Sequence, residues 1–73
     1  MNPALPVVSG QETARALERV GFEQVGQRGS HLKLRRDDGR TAIVPLHDEL
    51  APGTLRWVLR QAGLTVEEFV GLL

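Results

Sequence analysis

The chain has 73 residues, nine Lys/Arg against nine Asp/Glu, and no cysteine. That length makes one domain, which buries about 60% of the surface its unfolded form exposes and leaves no room for separate cofactor and substrate lobes. The cysteine count excludes a disulfide framework, a thiolate zinc site and a cysteine nucleophile, no apolar run nears the ~18–20 residues of a membrane span, and the opening MNPALPVVSG lacks the basic n-region of a secretory signal.

Residues 1–8, with two prolines and no hydrophobic period, are predicted to form a flexible lead-in, and residues 9–73 a single domain. Ser9 and Glu12 have the spacing of a capping box. Ala14, Leu17 and Val20 follow at helical intervals, and Gly21 suits the position just past a helix end, so a helix is expected over 10–20. A weakly patterned strand is expected over 22–27. Residues 30–36 (SHLKLRR) carry the clearest strand pattern: His31, Lys33 and Arg35 on one face, Leu32 and Leu34 on the other.

Asp37-Asp38-Gly39 is a hairpin turn into a strand over 40–45. Two registers are open. A two-residue turn sets Ile43 across from Leu34; a three-residue turn with Gly39 left-handed sets Ala42 there. Residues 46–51 form a loop. Pro52 lies near the next helix start, and Leu55, Val58, Leu59 and Ala62 make one apolar stripe ending at Gly63. Thr65 and Glu68 form a second capping box for a short helix with Val66, Phe69, Val70 and Leu73 on one side. The order α-β-β-β-α-α predicts an α+β fold, with helices on one face of a three-stranded antiparallel sheet. His31, Lys33 and Arg35 would lie on the free face.

Charge is unevenly spread. Residues 28–40 with Arg56 and Arg60 hold seven bases and two acids, while the rest holds Arg15 and Arg19 against seven acids. A neutral chain can thus present a basic surface, unless the charges are simply salt-bridged. Imidazole titrates near neutrality, so His31 beside Lys33 and Arg35 could exchange a proton with a polyanion held by those cations. RNA supplies its own 2′-hydroxyl nucleophile; the protein has to move protons and stabilise charge on the phosphorane. A solvated strand histidine with no chemistry fits the same spacing. His47, in a loop, and Trp57, beside the helical stripe, are further candidates for phosphate or base contact, or for structural roles. Two histidines 16 residues apart make no metal site.

Five segments, in order, carry a resemblance: Gly29-Ser30-His31-Leu32-Lys33-Leu34; Asp38-Gly39-Arg40; Val44-Pro45 with His47; Pro52-Gly53-Thr54-Leu55-Arg56 through Gln61-Ala62-Gly63-Leu64; and Leu64-Thr65 with Glu67-Glu68-Phe69. Together they resemble the HicA toxins over nearly the whole chain after residue 8. The resemblance implies a double-stranded-RNA-binding-domain-like α-β-β-β-α fold with a short extra C-terminal helix. It also implies an mRNA interferase of a type II toxin–antitoxin system, acting in the cytoplasm through one strand histidine without metal or cofactor. That histidine maps onto His31. Ser30, Lys33, Arg35, Arg28 and Arg40 are the expected RNA contacts, with His47, Arg56 and Arg60 secondary. A HicB-like antitoxin is the expected protein partner, in a hetero-oligomer or beside a toxin homodimer. The alternative is a non-catalytic RNA- or antitoxin-binding module of the same fold.

Overall fold

The computed structural model describes residues 4–73. Helix α1 spans Gly10–Glu18, strands β1, β2 and β3 span Glu23–Arg28, His31–Arg35 and Thr41–Pro45, and helices α2 and α3 span Pro52–Ala62 and Val66–Val70. Both capping boxes form: Ser9 Oγ accepts from the Glu12 N–H, Thr65 Oγ1 from the Glu68 N–H, and each carboxylate accepts from its cap's N–H in return. Those returning N–H groups hold the Glu12 and Glu68 carboxyls below their ordinary range. The first two helices close with the paired bonds of a Schellman turn: Phe22 N–H to Leu17 C=O and Gly21 N–H to Glu18 C=O for α1, Leu64 N–H to Leu59 C=O and Gly63 N–H to Arg60 C=O for α2.

The sheet order is β1-β2-β3, antiparallel throughout. The hairpin register that the sequence leaves open is the three-residue one. The Arg36 N–H donates to the Arg40 C=O, Gly39 takes φ +89°, and Leu34 faces Ala42. A positive φ at the last turn position costs a side-chain-bearing residue steric energy, which is why glycine ends this turn. The choice places Ala42 and Val44 on the helix side and Ile43 on the free face.

Two buried clusters hold the layers together. Ala14 and Leu17 of α1 meet Phe22, Leu32, Leu34, Ala42, Val44, Val58 and Ala62 between the helices and the sheet. Val8, Ala16, Leu50, Leu55, Leu59 and Phe69 form the second cluster, with Leu5, Leu64, Val66 and Leu72 packed on it. Fully burying a Leu, Val or Phe side chain contributes about 1.5–3 kcal/mol each. Thr13 is buried beside these and donates its hydroxyl to the Ser9 C=O at 2.9 Å.

Several expectations are corrected. The packed region begins before Ser9: Val8 is buried, and its C=O accepts the Leu50 N–H at 2.9 Å. An apolar residue next to a helix start can fill the gap beside a loop, which composition does not reveal. Residues 1–3 of the expected lead-in lie outside the described residues. Strand β1 starts at Glu23 because Phe22 is drawn into the core. On the last helix Phe69 is buried, but Val70 and Leu73 are about half exposed, and Leu72 packs inward in place of Leu73. Helix α3 is one turn long and ends at Gly71, so the helical spacing that pairs Phe69 with Leu73 does not extend that far. Arg19 anchors this end by donating to the Leu72 C=O.

Candidate nucleic-acid interface

The strand register sets the free face of the sheet. Across it, Arg28, His31 and Pro45 form one row, Gly26, Lys33 and Ile43 the next, and Glu23, Arg35 and Thr41 the third. Directly paired residues on neighbouring antiparallel strands hold their Cβ atoms about 4.5–5.5 Å apart. His31 therefore lies within reach of Arg28 across the strand pair and of Lys33 two positions along its own strand. His31, Lys33 and Arg35 are exposed while Leu32 and Leu34 are buried, as the alternation predicts. Gly26, Gln27, Arg28, His31, Lys33 and Ile43 line a depression of about 500 Å³.

Two local features fix this arrangement. The β1–β2 turn is the two-residue Gly29-Ser30 connection, with Arg28 paired to His31. The Ser30 C=O accepts the Leu46 N–H at 2.6 Å, which ties the turn to the end of β3. His31 is thus the first residue of a strand whose start is held by both neighbours. Among the described residues no hydrogen bond engages its ring, so the imidazole is open to a ligand.

Neither acid within the basic segment forms an ion pair with Arg28, Lys33 or Arg35. Asp38 pairs with Arg36 at 2.6 Å and with Arg40 at 3.5 Å. The Arg36 hydrogen bond, with the Arg40 N–H behind it, pulls the Asp38 carboxyl down to about 2 from its ordinary 3.8. Arg36 also lies 5.2 Å from the Phe22 ring centroid and donates to the Val20 C=O at 3.5 Å, on the helix side. Among the described residues, Arg28, Lys33 and Arg35 form no ion pair. Glu23 stands across from Arg35 without closing a salt bridge.

The structure does not bring all the candidate residues together. Arg40, an expected RNA contact, is on the helix side. Its guanidinium lies over Gly63 at the C-terminal end of α2, where the helix dipole favours a cation. The three-residue turn is the cause, because it turns the whole set of positions 40, 42 and 44 toward the helices. His47 is exposed on the other side of the sheet from His31. It lines a separate groove between α1 and β1 with Ser9, Arg15, Gln24 and Gln27. Its C=O accepts the Gly10 N–H at 2.9 Å, and a Cβ at Gly10 would overlap the Pro45 carbonyl, so this loop is pressed onto the start of α1. Arg56 and Arg60 are exposed on α2 with Trp57, which is 55% exposed. They flank the stripe that α2 buries against the core and are not part of the His31 face.

Sequence reasoning missed Gly26 and Ile43 on this face. The hairpin ambiguity hid Ile43, and a β-bulge between Gln24 and Gly26 hid Gly26. The Gln61 side chain, also missed, accepts the Ile43 N–H at 2.9 Å and so occupies the outer edge of β3. Among the described residues no group of three His, Asp or Glu side chains converges as metal ligands would.

The chain matches the family model described as HicA toxin of bacterial toxin-antitoxin over residues 10–64. The matched span runs from the first residue of α1 to Leu64 just beyond α2, and it includes the whole sheet and His31. No curated protein sequence matches the chain.

Proposed function

The chain belongs to the HicA toxins of bacterial toxin–antitoxin systems, and from that premise we propose that it is an endoribonuclease acting on mRNA, with His31 as the general acid/base. The observation that carries this reading is an exposed, strand-held imidazole with Arg28 and Lys33 beside it and no internal acid neutralising them.

In the proposed reaction the RNA backbone lies across the free face. His31 removes the proton from the 2′-hydroxyl, whose oxygen attacks the adjacent phosphorus. Lys33 and Arg28 stabilise the negative charge that builds on the phosphorane oxygens. The imidazolium then returns its proton to the departing 5′-oxygen. Ser30 and Arg35 extend the contact along the backbone. The nucleophile comes from the substrate, so neither metal nor cofactor is required. A HicB-like antitoxin would silence the toxin by covering this face, with acidic groups opposite Lys33 and Arg35. The toxin and its mRNA substrate would meet in the cytoplasm.

The direct test is the chemistry of the products. RNA incubated with the protein in EDTA should be cut to fragments with 5′-hydroxyl and 2′,3′-cyclic phosphate ends. Fragments with 5′-phosphates whose formation stops in chelator would indicate metal-activated water and overturn the proposed mechanism.

A second expected result concerns binding. Lys33→Ala and Arg35→Ala should each weaken RNA binding and reduce the slope of log affinity against log salt by about 0.7, the value for one phosphate contact to single-stranded nucleic acid. Arg40→Ala and Arg15→Ala should leave the slope unchanged, since Arg40 lies over Gly63 and Arg15 on α1. Equal slopes for all four variants would remove the free face as the RNA site.

A further inference from the structure

Gly26 stands in the row of Lys33 and Ile43, on the same face as His31. Strand interiors disfavour glycine, because it pays more backbone entropy and packs nothing. The usual reasons for tolerating one are absent. Gly26 is not among the glycines with positive φ, and a Cβ built on it meets no atom within 4 Å. The adjoining bulge leaves Val25, not Gly26, without a partner on β2. Neither conformation nor packing within the domain therefore asks for glycine. What its missing side chain does is keep open the depression that Arg28, His31 and Lys33 border.

We propose that this opening is a base subsite: the nucleobase of a nucleotide flanking the scissile phosphate lies flat on the Gly26 backbone, between Arg28 and Lys33. The inference rests on the ribonuclease reading and adds a residue that sets which RNA positions fit. A flat ring needs an unobstructed peptide surface, and a guanidinium such as that of Arg28 is a known stacking partner for bases. The phosphate on either side of that base then falls to Lys33 and His31. The fit of base to slot is read by shape, and every base has a flat face, so the subsite demands an unstacked base before it demands a particular one.

The test pairs Gly26→Val with an RNA oligonucleotide that is either intact or abasic at the nucleotides flanking its cleavage site. Valine suits a strand and its Cβ would meet no atom within 4 Å, so the melting temperature should be unchanged or higher. On intact RNA, kcat/KM should fall about 10- to 100-fold, the range expected for one lost base-stacking contact. Wild type should lose a similar factor on abasic RNA, and there Gly26→Val should add little, because both changes remove the same interaction. Should the valine variant fold poorly, Gly26→Ala carries the same comparison with a smaller loss. Undiminished cleavage of intact RNA by the variant, or an equal loss on abasic RNA, overturns the base subsite while leaving the ribonuclease reading in place. No cleavage of any RNA by the wild-type protein overturns both.

Discussion

Replacing His31 by alanine is expected to abolish RNA cleavage and toxicity without lowering the melting temperature. The two halves of that result come from different links of the argument. His31 is exposed and on the face opposite Leu32 and Leu34, so its loss opens no cavity. Surface substitutions of that kind change stability by within about 0.5 kcal/mol. Removing a general acid/base costs about 10²- to 10⁴-fold in rate. An unchanged melting curve with activity gone identifies an acid/base. A lowered melting temperature identifies a structural histidine, and weakened RNA affinity with no cleavage by either protein identifies a binding module. His31→Gln is the finer control, because it keeps a hydrogen-bonding side chain but cannot exchange a proton near neutrality. A glutamine variant as fast as wild type would rule out the mechanism. The alanine variant also allows the antitoxin complex to be studied apart from toxicity. Residues 30–36 should be protected in that complex, and a complex leaving them as exposed as in the free protein would exclude masking of this face.

The largest effect on stability is expected from Phe69→Ala. Phe69 is fully buried, in contact with the cluster of Val8, Ala16, Leu50, Leu55 and Leu59. Truncating a buried Phe to Ala costs about 3–5 kcal/mol. A domain of this length has roughly 4–11 kcal/mol in total at 0.05–0.15 kcal/mol per residue. One substitution in a five-residue helix should therefore remove a large fraction of the whole. With about 4–8 °C lost per kcal/mol in a domain of this size, thermal denaturation should show a fall of more than 10 °C. A fall of only a few degrees would mean that α3 is an appendage. Residues 65–73 lie beyond the span matched by the toxin family, yet Phe69 places them in the core. The exposed Val70 is the internal contrast. Val70→Ser should change the melting temperature little.

Most of the fold is legible in local pattern. The two capping boxes, the Gly21 and Gly63 helix ends and the Asp37-Asp38-Gly39 turn are chemical signals confined to a few neighbouring residues. The structure contains each of them as spaced. The alternation of residues 31–35 fixes which side of β2 is buried, because successive strand side chains point to opposite faces. That is enough to expose His31, Lys33 and Arg35 together. The β1 start, Val8 and Leu72 are less legible. Each depends on which apolar side chain fills a gap left by distant residues, and local period carries no information about that.

For the candidate site, sequence by itself determined the central column, His31-x-Lys33-x-Arg35, and the lineage through an ordered set of short motifs. Tertiary structure alone decided what stands beside that column. Hairpin register is a choice between turns of nearly equal local plausibility. It is settled when Ala42 and Val44 go to the core with Leu32 and Leu34. That one choice brings Ile43 to the free face and sends Arg40 to the helix side, over Gly63. The bulge in β1 does the same for Gly26 by shifting it into line with Lys33. Charge pairing, by contrast, stays within the turn: Asp38 takes Arg36 and Arg40, each two residues away, leaving Arg28, Lys33 and Arg35 without an ion pair among the described residues. Side-chain direction repeats every two residues along a strand, but the row across the sheet is set by register. Register is fixed by the burial of apolar groups far apart in the chain.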